Sequence, residues 1–161
     1  MLTSAQAWDI LARVPDPEIP AISVTELGIV RDVQAAEEGV DVVVTPTYSG
    51  CPATEAIERS IREALSAAGA RDVRVRQQLS PAWSTDWIAE DARERLRAYG
   101  IAPPGERPAG GAQPLSFVPR VACPRCGAAD TERLSQFGST ACKALYRCRA
   151  CREPFEYFKP L

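Results

Sequence analysis

Six cysteines and no histidine set the chemistry open to this chain of 161 residues. Four of the thiols form two Cys-x-x-Cys pairs, Cys123-Pro-Arg-Cys126 and Cys148-Arg-Ala-Cys151, with twenty-one residues between Cys126 and Cys148. Two such pairs are the ligand pattern of a four-cysteine zinc site, and Gly127 after the first lets backbone N–H groups approach sulfur. Four thiolates also suit a rubredoxin-like iron. A thioredoxin-type dithiol fits poorly, because two pairs occur and neither sits in a βαβ pattern. Cys51 stands alone at a strand-to-helix junction. Cys142 lies between the pairs but outside both, either as a second thiol for Cys51 or as a small buried residue in a hairpin. Without imidazole, Ser-His-Asp and Cys-His hydrolases, HExxH metalloproteases and histidine acid–base chemistry are excluded.

The elements around Cys51 give it its interest. Val40, Val42 and Val44 alternate with Asp41, Val43 and Thr45, the period of a pleated strand, and Pro46 ends it. Pro52 suits the first position of a helix, which makes Cys51 the expected N-cap. Beyond it Ala53, Ile57, Ala64, Leu65 and Ala68 share one face, and Glu55, Glu58, Arg59, Arg62 and Glu63 cover the other. Glu55/Arg59 and Glu58/Arg62 are i,i+4 pairs in the favourable order. The free N–H groups and dipole of a helix start favour a thiolate, so Cys51 reads either as a better nucleophile and metal ligand than a buried thiol or as a small N-cap residue that packs.

The rest of the chain reads as support. Thr3 or Ser4 caps a short helix, with Gln6 completing a box on Thr3; Trp8, Leu11 and Val14 are its expected buried stripe, and Pro15 stops it. Asp16 to Pro20, DPEIP, reads as a stiff extended turn that fixes Asp16 and Glu18, although the pentapeptide alone is better read as a solvated loop. A strand over Leu27–Gln34, a turn at Glu37–Gly39 and the valine strand form a hairpin, and Asp72–Leu79 alternates as a third strand. Ser84 or Thr85 caps a helix aligning Ile88, Ala92, Leu96 and Tyr99, with Gly100 at its C′ position. Trp87 reads as a core anchor, while Trp83 reads either as core or as binding platform. Ala102 to Pro114 is a Pro/Gly linker. Between the cysteine pairs, Thr131–Gln136 and Lys143–Arg147 form a hairpin, and Phe155 and Tyr157 belong to a closing strand.

The expected architecture is therefore α/β. A small mixed three-stranded sheet packed with helices occupies residues 1–101, a linker 102–118, and a small β zinc ribbon 119–161. At 45% hydrophobic the chain can bury one sound core plus a module that needs its metal to fold. No apolar run reaches membrane length and the first residues are too polar for a signal peptide. Metal-spaced cysteines without an export signal point to a reducing cytoplasm. From Pro119 to Leu161 there are eight basic and four acidic residues, +4, against −6 for the remainder. A Zn²⁺ with four thiolates would bring that tail near +2, too little for the basic stripe of a nucleic-acid binder. Docking to protein is the better use of it.

Several stretches together resemble one family. DPEIPAISVTELGIVRDV, VVVTPTYSGCPATEAI, LSPAWSTDWI, CPRCG and FGSTACKALYRCRACREPFEYFK are similar to the PaaD (also PaaJ) family of bacterial phenylacetate degradation, over nearly the whole chain. The first domain resembles the SufT-like iron–sulfur assembly factors. That resemblance implies Asp16, Glu18, Thr47 and Cys51 as a transfer site for a transient iron–sulfur cluster or iron, with structural zinc on Cys123, Cys126, Cys148 and Cys151. It implies an accessory protein and no enzyme of its own. The implied partners are the oxygenase and reductase subunits of the ring-1,2-phenylacetyl-CoA epoxidase, and general iron–sulfur assembly proteins. One cysteine cannot hold a cluster alone, so a homodimer, a client or Cys142 must supply the rest. The rival expectation is a non-catalytic adaptor subunit of the same oxygenase.

Overall fold

A computed structural model describes residues 2–37, 39–105 and 120–161. The chain divides into two compact units, Met1–Ala92 and Arg93–Leu161. In the first, α1 (Ser4–Leu11) opens on the expected capping box, in which the Thr3 hydroxyl accepts from the Gln6 N–H and the Gln6 side chain from the Thr3 N–H. It buries Ala7 and Leu11, leaving Trp8 half-buried, and Val14 is buried just beyond it.

Strands β1 (Val30–Ala35) and β2 (Gly39–Val44) form the antiparallel hairpin. Helix α2 (Ala53–Ala67) then crosses over, and β3 (Asp72–Gln77) returns parallel to β2, giving the order β1-β2-β3. The two-residue period decides the faces. Val40, Val42 and Val44 are buried, and Val42 pairs with Val33 on one side and Val75 on the other, while Asp41 and Val43 lie on the more open face. Helix α2 buries Ala53, Thr54, Ile57, Ile61 and Leu65; Ala64 is half-buried and Ala68 exposed, so the true stripe runs through Ile61. A β-carbon on Gly39 would come within 2.4 Å of the Asp72 carbonyl oxygen, so the β2–β3 pair closes at that end only over glycine.

The aromatic stretch after β3 departs from expectation. Ser84 does cap, accepting from the Asp86 N–H, but it caps a single 3-10 turn, Thr85–Trp87. Ile88 is extended, and the Ala89 N–H donates to the Glu26 carbonyl before α3 (Glu90–Tyr99) begins. Trp83 is the core anchor, buried with its indole N–H donating to the Leu27 carbonyl at 3.0 Å. Trp87 is half-buried, its ring covered by the Arg31 guanidinium at 3.6 Å. Ala92 and Leu96 are buried as expected; Tyr99, at 53% exposure, is not part of the stripe. Gly100, at φ +97°, follows the helix.

The second unit holds a four-stranded sheet of order β4-β7-β6-β5. Its strands are β4 (Ile101–Ala102), β5 (Thr131–Ser135), β6 (Lys143–Cys148) and β7 (Pro154–Phe158). The β5–β6–β7 meander is the expected ribbon, with Tyr146 stacked on Phe155 and edge-on to Tyr157 in its core. Strand β4 departs from expectation. Ile101 and Ala102 pair in parallel with Glu156 and Tyr157, and both are buried. The segment expected to close the first domain and open the linker thus belongs to the second sheet. Of the expected linker, 106–118 lies outside the described residues.

Gly28 links the two halves of the first unit's core. It sits at φ +74°, and a β-carbon there would meet the Trp87 β-carbon at 2.7 Å and the Trp87 carbonyl oxygen at 2.8 Å. Gly28→Ala should therefore lose about 2–4 kcal/mol, combining a left-handed backbone with overpacking. Urea denaturation followed by tryptophan fluorescence checks this; an unchanged midpoint would remove Gly28 from the account.

Candidate functional site

Two cysteine environments stand apart. In the second unit the Cys123 and Cys151 sulfurs are 3.8 Å apart and those of Cys126 and Cys148 3.6 Å, with all four within 4.8 Å of one another. A tetrahedron with zinc–sulfur bonds of about 2.3 Å has edges of about 3.8 Å, so the set fits a closed four-thiolate ion. Cys123 and Cys148 are buried, and Cys126 and Cys151 reach towards solvent.

The two knuckles repeat one backbone design. The Cys123 N–H donates to the Ala128 carbonyl and the Cys148 N–H to the Glu153 carbonyl, five residues on in each case. The residue after each second cysteine is left-handed, Gly127 at φ +77° and Arg152 at φ +65°. The Cys151 N–H points at the Cys148 sulfur at 3.5 Å and is the main cause that lowers that thiol to about 7. Cys151 accepts from the Glu153 N–H, which lowers it, yet burial and the neighbouring sulfurs push it up to about 12. Four sulfurs this close cannot all ionise against one another, and a divalent ion replaces the protons that otherwise hold them.

Cys51 is built differently. The Cys51 N–H donates to the Tyr48 carbonyl, closing a turn in which Gly50 has φ +79°, the value required at the third position of a type II turn. Helix α2 starts at Ala53 with Pro52 at its N-cap and no side-chain cap, so Cys51 is one residue outside the position expected for it. The Cys51 carbonyl accepts from the Thr54 N–H, and its half-buried sulfur makes no hydrogen bond among the described residues.

The other expected site residues serve different ends. Asp16 is buried, and its Oδ1 accepts from the N–H groups of Glu18 and Ile19 at 2.9 Å each, so the carboxylate holds the DPEIP turn. Glu18 is exposed and Thr47 half-buried. Among the described residues, the ribbon's four sulfurs are the one grouping of three or more Cys, Asp or Glu side chains that could hold a metal; Cys51, Asp16 and Glu18 do not form another. Cys142 is buried against the Thr140 hydroxyl at 3.0 Å, within the ribbon hairpin.

Sequence reading passes over two features here. Ser23-x-x-Glu26 has the spacing of a capping box, and the Glu26 carboxylate accepts from both the N–H and hydroxyl of Ser23, bracing the turn after DPEIP. Thr45, just past the end of β2, is buried with its hydroxyl unpartnered among the described residues. The first is readable from its spacing, whereas nothing in the sequence marks the second.

Comparison with known proteins follows the same division. Residues 4–76 match the family model described as iron-sulfur cluster assembly protein, and 111–159 the PaaD zinc beta ribbon domain. A protein of Escherichia coli (strain K12), provisionally named as one of the subunits of 1,2-phenylacetyl-CoA epoxidase, is 54% identical over 96% of this chain and 91% of its own. The chain belongs to the PaaD family. The match gives the ribbon a structural zinc, and the four clustered sulfurs of Cys123, Cys126, Cys148 and Cys151 could hold it. A protein of Porphyromonas gingivalis (strain ATCC BAA-308 / W83), named Fe-S protein maturation auxiliary factor, is 34% identical over 54% of this chain and 84% of its own. A domain of unknown function, DUF59, from Bacillus anthracis superposes with a TM-score of 0.54 at 27% identity, covering 58% of this chain and 90% of that one. A conserved hypothetical protein from Thermotoga maritima gives 0.51 at 28%, covering 59% and 94%. Among the described residues no helix is long and apolar enough to cross a membrane.

Two substitutions test the ribbon. Cys148→Ser should abolish zinc binding, measured as metal per chain, and disorder the second unit while the first keeps its far-ultraviolet circular dichroism. Arg152→Gly should raise the ribbon's stability by about 1 kcal/mol, because glycine takes the left-handed conformation without a β-carbon penalty. Chelator-driven unfolding checks it, and a loss of stability would show that the arginine side chain matters more than its backbone.

Proposed function

We propose that this protein is an accessory maturation factor that assembles or delivers an iron–sulfur cluster, or iron, to the multicomponent phenylacetyl-CoA epoxidase. The observation that carries the reading is Cys51. It is a half-buried thiol with no hydrogen bond among the described residues, presented by a glycine turn at a helix start and separate from the zinc set. The sequence match of residues 4–76 to iron–sulfur cluster assembly proteins, and the names carried by the two relatives, support it.

In this mechanism the cluster or iron is cargo. The Cys51 sulfur donates one ligand to it, and Glu18, exposed on the stiff DPEIP turn, offers a hard oxygen. Asp16 acts chiefly by holding that turn, with Thr47 orienting the loop before Cys51. A lone cysteine cannot retain a cluster, which suits transfer better than storage. The remaining ligands come from the client or from a second copy of the chain. The protein catalyses no step on phenylacetyl-CoA. It works in the cytoplasm, alongside the oxygenase and reductase subunits.

The test is co-expression with the epoxidase subunits. Cys51→Ser leaves the helix start unchanged, since no side chain caps it, and should shift stability by less than about 0.5 kcal/mol. It should nevertheless lower product formation and the iron or cluster content of the complex by at least about tenfold. Asp16→Asn keeps the Oδ1 acceptor and should weaken the output less, as should Glu18→Gln. If Cys51→Ser yields a fully metallated and active complex, with this chain in fixed stoichiometry, the protein is an adaptor subunit instead.

A further inference from the structure

The end of the ribbon remote from its metal carries a feature that neither zinc nor Cys51 uses. The β5–β6 connection, QFGSTACK, turns back through hydrogen bonds from the Gly138 N–H to the Lys143 carbonyl at 2.7 Å and from the Lys143 N–H to the Thr140 carbonyl at 3.2 Å. Lys143 is 2% exposed, and its ammonium meets the Glu156 carboxylate at 2.8 Å. The other Glu156 oxygen accepts from the Ser139 N–H at 2.7 Å and would lie 2.6 Å from a β-carbon on Gly138. Burial raises the Glu156 carboxyl, but the Lys143 ammonium and the Ser139 N–H outweigh it and hold the group below its usual range. The loop is thus held from beneath by a charge pair that also accepts from its backbone.

What this loop and the end of β5 before it display is apolar and cationic. Phe137 is 60% and Leu134 49% exposed, two of the four large hydrophobic side chains most open to solvent among the described residues. The Lys159 ammonium lies 4.6 Å from the Phe137 ring centroid and donates to the Gln136 carbonyl. Burial and the nearby Arg133 hold it below the ordinary lysine range against the opposing influence of Cys142. Arg147 and Arg149 share Glu132, and Lys143 has Glu156. Arg133 and Lys159 face no carboxylate partner among the described residues. An exposed aromatic on a hydrogen-bonded loop, flanked by cations without a carboxylate partner, needs little backbone ordering when it docks.

We infer that the Leu134–Phe137 tip, with Arg133 and Lys159, is a docking surface for an acidic protein segment that carries an apolar side chain, on a client subunit of the epoxidase. This rests on the proposed function for the identity of the client. Charge complementarity selects the class of partner. The second unit has twelve basic against six acidic residues, and the tip's two cations are left for a partner's carboxylates. Two cations beside a single exposed aromatic are too few for a phosphate track, and the chain as a whole is at −2, so nucleic acid is disfavoured.

The test uses the zinc-loaded full chain and the purified oxygenase and reductase subunits of the epoxidase, each immobilised in turn. Phe137→Ser and Arg133→Glu replace exposed side chains, so zinc content and circular dichroism should match wild type. Each should weaken binding to one subunit by roughly tenfold or more, and wild-type binding should fall steeply with salt. Equal binding by wild type and both variants, or no wild-type binding to any subunit, overturns the proposal. So does tighter binding to single-stranded nucleic acid, or a self-association that both variants abolish, which would give the surface to a second copy. Metal content of the co-expressed complex separates the two readings. If Phe137→Ser binds normally while Cys51→Ser still starves the client of iron, the surface is wrong and the maturation role stands. If Cys51→Ser leaves the client fully metallated, it is the maturation role that fails.

Discussion

Four sulfurs packed within 4.8 Å are the constraint on which the second unit depends. The core there is small: Tyr146, Phe155 and Tyr157 with a few aliphatic neighbours. A module of this size folds because metal–sulfur bonds supply what apolar burial cannot. Strand β6 shows how far the constraint reaches. It ends in the ligand Cys148 and begins at Lys143, the buried ammonium that fixes the far loop. One strand is therefore pinned by charge at both ends, with Tyr146 packed between them. The left-handed Gly127 and Arg152 serve the same geometry, turning the chain after each pair of ligands; in the second knuckle the Cys151 N–H then faces the Cys148 sulfur.

The first unit follows a different logic. Its sheet is held by alternating valines and by the βαβ crossover, and its core is largely apolar, with a few buried polar side chains such as Asp16, Ser23 and Thr45 among it. The crossover loop is where a chemically active residue costs the core least, and Cys51 sits there behind Gly50. The parallel β2–β3 pair leaves β3 on an edge, and Arg74 and Arg76 are exposed along it. Charged side chains there discourage pairing with a second chain's strand.

Periodic features are legible in the sequence because they repeat. The valine alternation marks β2, the Thr3/Gln6 spacing marks the capping box, and the two Cys-x-x-Cys pairs mark the metal ligands. Single contacts are not legible. Which tryptophan is buried depends on the Leu27 carbonyl reaching Trp83, fifty-six positions away in sequence. The break at Ile88 depends on Ala89 donating to Glu26, another long-range bond. A proline after a turn suggests the first helical position for Pro52, yet the hydrogen-bonded helix begins at Ala53, and the cap shifts from Cys51 to Pro52. Asp16 and Glu18 are legible as fixed, but only the backbone bonds to Asp16 Oδ1 show that one carboxylate maintains the turn while the other is open to solvent.

Strand β4 bears on how such a protein could have been assembled in evolution. The two family matches leave residues 77–110 between them, and that interval contains Trp83, α3 and the two residues of β4. A recombination event that copied only the cysteine-bearing tail would leave β7 without its parallel neighbour and the Ile101–Ala102 pair without a core. The structural unit is therefore longer than its metal ligands suggest. The boundary between the two compact units falls at Ala92, within α3 rather than in the proline-rich stretch.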